Sequence, residues 1–441
     1  MVTRVDVVVV GAGSAGAVVA ARLAEHPRRS VVLVEAGSDY RSNDTPSAAS
    51  SDDFLRATRD PQLVEPGLDA VRTAGQAPRP YLRGRGVGGS SAVNAMVLLP
   101  GEPDDYDEWP SMGATGWGWR DLAPWFGCVA LKGRLPAAAG PVAHAVLTAH
   151  PQAELARLAL DDAQHRVSTN DAYLEPMRQC SNLLVLGDTP VDYVLFDGRR
   201  ACGVRLVDGS EIEADTVVLC AGAIHSPALL LRSGVDTPGV GDGLQDHPSF
   251  PITLRLREPN HFSPVVTALV RDTFVDTHDL QLLAMERADP EMPELAVLLG
   301  AYMYPRSRGT VRLASNDPSV APVVDFGMLS DERDLAGVRA AIRLVERVAQ
   351  SPAIAAVGEV LPYDASTAGI RASIGDYVHA SGGCAIGAVL DPDCRVRGYD
   401  HLWVCDASVL PRVPRANTHL PVMAVAERVA ASLSGVVSAS L

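Results

Sequence analysis

A chain of 441 residues with 47% hydrophobic content can build two domains, or one large domain with an insertion, around an ample core. Its formal charge of −15 and pI near 5.2 argue against the basic surface that nucleic acid or an anionic membrane requires, so a small molecule is the expected partner. Seven cysteines, odd in number, widely spread and without a CxxC pair, give neither a zinc framework nor a disulfide scaffold, and no metal is expected.

The chain opens with a β-branched apolar run, VDVVVV at 5–10, of the kind expected of a parallel strand buried on both faces. The run is too short, and too soon followed by glycines, for a signal peptide or a membrane span. GAGSAG comes next: Gly11, Gly13 and Gly16 have the GxGxxG spacing, and AVVAARLAEHP reads as a helix ended by Pro27. Such glycines allow a tight turn, close approach of backbone to a pyrophosphate and close packing of helix on strand, with the helix N-terminus facing the phosphates. A second strand, SVVLVEAG, carries Glu35, 19 positions after Gly16, where a carboxylate can accept hydrogen bonds from ribose hydroxyls. The unit predicts a dinucleotide site and does not separate NAD from FAD.

RGRGVGGSSAVNAMV at 83–97 adds a second cluster, Gly84, Gly86, Gly88 and Gly89 ahead of Ser90 and Ser91, which lets backbone approach a flat or anionic ligand. Farther on, VVLC at 217–220, then Ala221-Gly222-Ala223, then a helix expected from the cap pair Ser226-Pro227, make another strand-to-helix crossing suited to a nucleotide floor. The period-two segments FPITLRLRE, LQLLAME, LAVLLGAYMY and GTVRLAS predict an antiparallel sheet. Ser330 is expected to cap a helix whose Leu335, Val338, Ile342 and Val345 form one apolar core stripe. HASGGCAIG at 379–387 sets His379 among very small residues, either as a catalyst that other backbone must approach or as an ordinary core histidine. A strand through Val404 and the pair Asp406-Ala407 lead to a proline-broken loop and a last helix from about Leu420-Pro421, with His419 just before it. The partial positive charge of that helix N-terminus suits the pyrimidine edge of a reduced flavin.

In this order the stretches resemble the glucose-methanol-choline (GMC) family of flavin oxidoreductases, in a compact, actinobacterial-type form. The likeness is carried by VVVVGAGSAG with Glu35, GRGVGGSSAVNAMV, YDEWPSMGATGWGW, GAIHSPALLLRSGV, LQDHP, PRSRGTVRLASNDP, HASGGCAIG and DASVLPRVPRANTHLPVMAVAER, over nearly the whole chain. It implies an α/β fold: a Rossmann-like FAD-binding domain from residues 1–125, 170–245 and 372–441, an inserted antiparallel-sheet (α+β) substrate domain at 246–371, and a shortened cap or connector at 126–169. It also implies FAD as cofactor and oxidation of a small-molecule alcohol to a carbonyl by hydride transfer to the flavin.

Flavin contacts are then expected from Gly11, Gly13, Ser14, Ala15, Gly16, Glu35 and Ala36, and from Arg85, Val87, Gly88, Gly89, Ser90, Asn94, Ala95 and Val97. Val191, Ala221, Gly222, Asp406, Ala407 and Leu420 complete the set, Asp406 by a hydrogen bond to the flavin or its ribityl chain. The family's proton-transfer histidine matches His379, which is assigned the base. Its second site residue, His or Asn in relatives, is aligned with His419 because NTHLPVMAVAER lies over the pattern NTNAPTIMIAEK; His419 is assigned the positioning of the hydroxyl. His225 and His247 are read as structural, and His144, His150 and His165 have no metal-like spacing.

Some features depart from the family pattern. Relatives that attach flavin covalently use a histidine where this chain has Val93, so non-covalent FAD is expected. Leu98-Leu99-Pro100-Gly101 replaces a common Tyr-x-Arg-Gly, and Gly383 and Ile386 stand where Thr and Met are frequent. The short connector implies a site that is more open or completed by a partner. Oxygen, a quinone or a carrier is the electron acceptor, with quinone or carrier expected, as in mycofactocin-linked dehydrogenases. The alternatives are a non-redox lyase on the same fold and an electron-transfer or cofactor-holding protein. No membrane span, no lipidation signal in the terminal SASL and a cytoplasmic location are expected.

Overall fold

The computed structural model describes residues 4–435, so the SASL terminus lies outside the described residues. Among them, no helix is long and apolar enough to cross a membrane. The N-terminal run forms the strand Arg4–Val10 at the middle of a seven-stranded sheet, in parallel register with Val31–Val34 on one side and Glu211–Leu219 on the other. Val7 to Val10 are all buried, as a strand covered on both faces must be. Glu211–Leu219 divides its far edge: its start pairs antiparallel with Arg200–Leu206, and its end pairs parallel with Leu402–Val404. That division carries the chain's last strand to the carboxyl ends of the central strands, where open α/β sheets bind ligands.

The turn after the first strand shows why glycine is needed there. Gly11 has φ +98°, and a Cβ on it would lie 2.6 Å from the Cys220 carbonyl oxygen; a Cβ on Gly16 would lie 1.8 Å from the Gly11 oxygen. The helix Ser14–Ala24 therefore rests directly on its own turn.

Period-two segments build a six-stranded antiparallel sheet, in the order Gly358–Val360, Ser249–Leu256, Leu295–Tyr302, Leu280–Met285, Val266–Asp272 and Ala153–Leu155. The connector thus supplies an edge strand. GTVRLAS does not join this sheet: Gly309–Arg312 pairs with Asp242–Leu244 and Val323–Asp325 in a five-stranded sheet completed by Asp69–Val71 and Arg79–Pro80. Alternation alone cannot say which sheet a strand enters, and this second sheet draws on segments that the sequence reading assigned to different domains. The helix Glu332–Ala349 packs its buried Leu335, Val338, Ile342 and Val345 toward the six-stranded sheet, where Gly300 leaves room for Val345. Its cap is Asp331, whose carboxylate accepts the Arg333 N–H; Ser330 is one residue too early. The helix expected from Ser226-Pro227 instead runs Gly222–Arg232, because Gly222, at φ +86°, turns the chain at once and Ser226 bonds back to the Ala221 N–H.

Candidate active site

One cavity of about 740 Å³ runs from the first helix, past the second glycine cluster, to the inner face of the six-stranded sheet. Of the positions assigned to flavin, all but Gly16, Val87, Gly88 and Leu420 line it. Those four support the walls from behind. Gly16 seats the helix on its turn. Val87 donates its N–H to Ser38 and takes the Tyr40 hydroxyl on its carbonyl, Gly88 donates to the Ala12 carbonyl, and Leu420 packs against the core.

Glu35 is buried and accepts N–H bonds from Ala12, Gly37 and Gly86 at 2.8, 2.9 and 3.0 Å. Burial raises its pKa while those donors oppose the rise. Its Oε2 takes only the Ala12 bond and keeps a lone pair for a ribose hydroxyl. Asp406, expected to reach the flavin, gives its carboxylate to the Gly222 N–H, the Ser226 hydroxyl and the Ser408 N–H, and so fastens the strand-to-helix turn to the last strand. Asn94 is held by Arg166, a fully buried guanidinium from the connector that donates to both its carbonyl and its side-chain oxygen. Desolvation lowers the Arg166 pKa to about 10.

Three observations fit FAD to this cavity. The helix Ser14–Ala24 has no side-chain cap, which leaves its first-turn N–H groups open where Gly13, Ser14 and Ala15 line the wall. A Cβ on Gly222 would meet nothing within 4 Å. His419 Nε2 and Asn417 Oδ1, both buried and both on cavity-lining residues, have no protein partner.

At the other end, the segment at 375–381 bridges the segment at 245–249: Gln245 and Ser381 exchange backbone hydrogen bonds, as do Ser249 and Gly375. The carboxylate of Asp246 fixes what lies between them, its Oδ1 taking the N–H of His247, Tyr377 and His379, and its Oδ2 the Tyr81 hydroxyl. Burial, with Asp376 nearby, lifts the Asp246 pKa to about 7. The His379 ring meets His247 through Nδ1 at 3.0 Å and Asn417 Nδ2 through Nε2 at 3.3 Å. Burial pushes its pKa well below the usual imidazole value, with His247 and Arg83 adding to the effect.

His419 was expected opposite His379. The side chain that meets His379 belongs to Asn417 instead, and His419 turns to the first helix, its Nδ1 2.9 Å from Ser14 Oγ. The last helix begins at His419 itself, so two residues of offset carry the side chain to another wall. Burial and Arg166 lower its pKa to about 4. His225, read as structural, lines the cavity, and burial lowers its pKa. The residues that sequence reasoning left out, Asn417, Asp246, Tyr81 and Arg166, share one trait: each acts on a residue distant in the chain. Asn417 had a local signal as the first asparagine of the aligned pattern, and Asp246 lay within the matching stretch LQDHP.

Asp246, His247 and His379 bring ligand-capable atoms within 4.8 Å of one another. Those atoms are engaged with protein donors and carbonyls, so no set of free lone pairs converges there.

The far wall is apolar. Strand register sets Met285 opposite Val266 and Leu283 opposite Leu299, and all four line the cavity.

Comparison with known proteins agrees with this architecture. The N-terminal GMC oxidoreductase model matches residues 5–159 and 155–249, and the C-terminal one matches 305–426. The chain is 31% identical to 5-(hydroxymethyl)furfural oxidase of Methylovorus sp. (strain MP688) over 530 residues, 97% of this chain and 98% of that protein. That alignment is longer than the chain itself, so the relative carries residues this chain lacks. It is 30% identical to an oxygen-dependent choline dehydrogenase of Burkholderia ambifaria, covering 99% of this chain and 94% of the relative. Pyridoxine 4-oxidase from Mesorbium loti superposes with a TM-score of 0.89 at 26% identity, covering 97% of this chain and 99% of that one. The chain belongs to the GMC oxidoreductase family, with FAD as its cofactor.

Proposed function

We propose that this enzyme oxidises a primary alcohol carried on a flat, uncharged ring to the aldehyde, with His379 as the base and Asn417 as the group that positions the hydroxyl. The observation that carries this reading is the meeting of His379 Nε2 and Asn417 Nδ2 at 3.3 Å on residues that line the cavity. FAD, when bound, accepts the hydride from the alcohol carbon. An alcohol is too weak an acid to lose its proton unaided at neutral pH, and a neutral imidazole is a suitable acceptor. His379 Nε2 takes that proton while Asn417 Nδ2 donates a hydrogen bond to the same oxygen. His419 belongs to the cofactor side, where its bond to Ser14 supports the helix end that faces the pyrophosphate.

The ring substrate is supported by the wall of Val266, Leu283, Met285 and Leu299, and by the furan and pyridine alcohols in the names of two relatives. A quaternary ammonium such as choline is disfavoured. It needs an aromatic cage or a free carboxylate, and Glu35, Glu65, Asp376 and Asp406 are all engaged by protein donors. FAD is held without a covalent bond, since Val93 stands at the attachment position; acid-precipitated protein should release its yellow colour. Anaerobic mixing with hydroxymethyl-furans, benzyl alcohols and choline tests the reading: the ring alcohols should bleach the flavin and choline should not. Reduction by choline alone would overturn the substrate class. Repeating the reaction in air separates oxygen, which yields peroxide, from a quinone or carrier as acceptor.

A further inference from the structure

Taking His379 as the base, its usefulness depends on which ring nitrogen carries the proton, and the hydrogen bonds around it decide that. His247 is fully buried, and its Nε2 lies 3.1 Å from the carbonyl oxygen of Pro414. A carbonyl can only accept, so this nitrogen carries the hydrogen. The ring is neutral: it has no hydrogen bond to a carboxylate, burial pushes its pKa to about 3 against the opposing pull of the Pro414 and Met303 carbonyls, and an unpaired buried cation is costly. His247 Nδ1 is therefore a lone pair. His379 Nδ1 faces it at 3.0 Å with the rings nearly perpendicular, and two lone pairs cannot hold that distance. The hydrogen between them belongs to His379 Nδ1. Since His379 is also neutral, its Nε2 is a bare lone pair, with the Asn417 amide donating to it at 3.3 Å.

We propose that His247 is a positioning residue that locks His379 in the Nδ1–H tautomer and keeps Nε2 free to take the substrate proton. Donation runs in one direction along the chain: from Asn417 Nδ2–H to His379 Nε2, from His379 Nδ1–H to His247 Nδ1, and from His247 Nε2–H to the Pro414 carbonyl. It starts and finishes on one loop, three residues apart. Asp246 sets the spacing of the two imidazoles, because one of its oxygens takes the backbone N–H of both. When Nε2 accepts the substrate proton, His379 becomes a cation whose Nδ1–H still has its acceptor, so no buried polar group is left unpaired.

The lock can be read without turnover. In holoenzyme labelled with ¹⁵N-histidine, His379 should show a pyrrole-type Nδ1 and a pyridine-type Nε2, and His247 the reverse. His379→Ala and His247→Asn assign the signals. In stopped-flow reduction by a ring alcohol, His247→Leu, which removes the acceptor, should slow flavin reduction about 10- to 100-fold, by analogy with loss of the partner that orients a metal-bound imidazole. His247→Asn, whose Oδ1 can still accept from His379 Nδ1–H, should recover to within a few-fold of the parent. Flavin content should match the parent in both. A proton on His379 Nε2 in the resting enzyme overturns the lock, as does equal loss in the Leu and Asn variants or undiminished reduction in the Leu variant. If His379→Ala itself reduces at the parent rate, the base assignment fails instead, and the nitrogen shifts still decide the tautomer.

Discussion

At the dinucleotide end of the cavity the contacts are made by backbone: uncapped N–H groups at a helix start, Gly11 and Gly222 at positive φ, and a carboxylate held by three amides. At the His379 end they are made by side chains drawn from four separate stretches, around residues 81, 246, 379 and 417. A backbone cradle as close as that at Gly11 has no room for a Cβ, whereas a side-chain cluster can lose one member and keep its shape. The two ends should therefore fail differently.

The largest effect is expected from breaking the backbone end. Gly11→Ala places a methyl 2.6 Å from the Cys220 carbonyl at φ +98°, a conformation that costs an L-residue about 1–2 kcal/mol before the collision is counted. The variant should purify without flavin, and a parent-like ratio of flavin to protein absorbance would show that the cradle yields.

His379→Ala should instead keep its flavin and lose about 10²- to 10⁴-fold in the rate of flavin reduction, the range for loss of a general base. In the parent enzyme the acid limb of that rate should fall below pH 6.5. Burial, His247 and Arg83 all favour the neutral imidazole, so Nε2 stays available until the pH drops well under the value of a free histidine. Asp246 and the Tyr81 and Tyr377 hydroxyls lie nearby, and Asp246 is the group that could add a shallow step near pH 7. A loss of the whole rate centred above 6.5, beyond that shallow step, would contradict the buried neutral base.

Comparing Asn417→Ala with His419→Asn separates the two ends within one short segment. The first removes a hydrogen bond to the reacting oxygen and should slow reduction about 10-fold, near 1.4 kcal/mol. The second should leave the reduction rate within two-fold and weaken retention of FAD through the lost support to Ser14. The reverse pattern would return the positioning role to His419. At the sheet wall the effect falls on binding alone: Leu283→Ala should raise KM for a ring alcohol by about 10-fold, for roughly 1.5 kcal/mol of lost apolar contact, with kcat nearly unchanged.

The same contrast explains what could be read from sequence. Strand, glycine turn and helix are neighbours in the chain, so the spacing of Gly11, Gly13 and Gly16 already encodes their geometry. His379 was singled out by its small neighbours and assigned its role only through the family resemblance. Its partner was not, because residues 417 and 419 face different walls only once the last helix begins at His419. Ser330 against Asp331 was a choice between equally good capping residues. GTVRLAS entered the wrong sheet because alternation reports a buried face and no partner. His247 was read as structural since nothing local indicates that its ring touches His379 across 132 positions.

The loop that holds both ends of the imidazole chain, LPRVPRAN, contains Pro411 and Pro414, and three of its amides are tied down: Val413 to the Gln245 side chain, Arg415 to Asp105 and Ala416 to the Pro414 carbonyl. Each proline has few conformations to lose, so ordering this loop costs less than ordering a flexible one. The placement of the Pro414 carbonyl and the Asn417 amide is in this sense partly present before the chain folds: the accuracy with which the proposed proton acceptor, His379 Nε2, is set is inherited from stiffness in the unfolded polypeptide as well as from packing in the finished core.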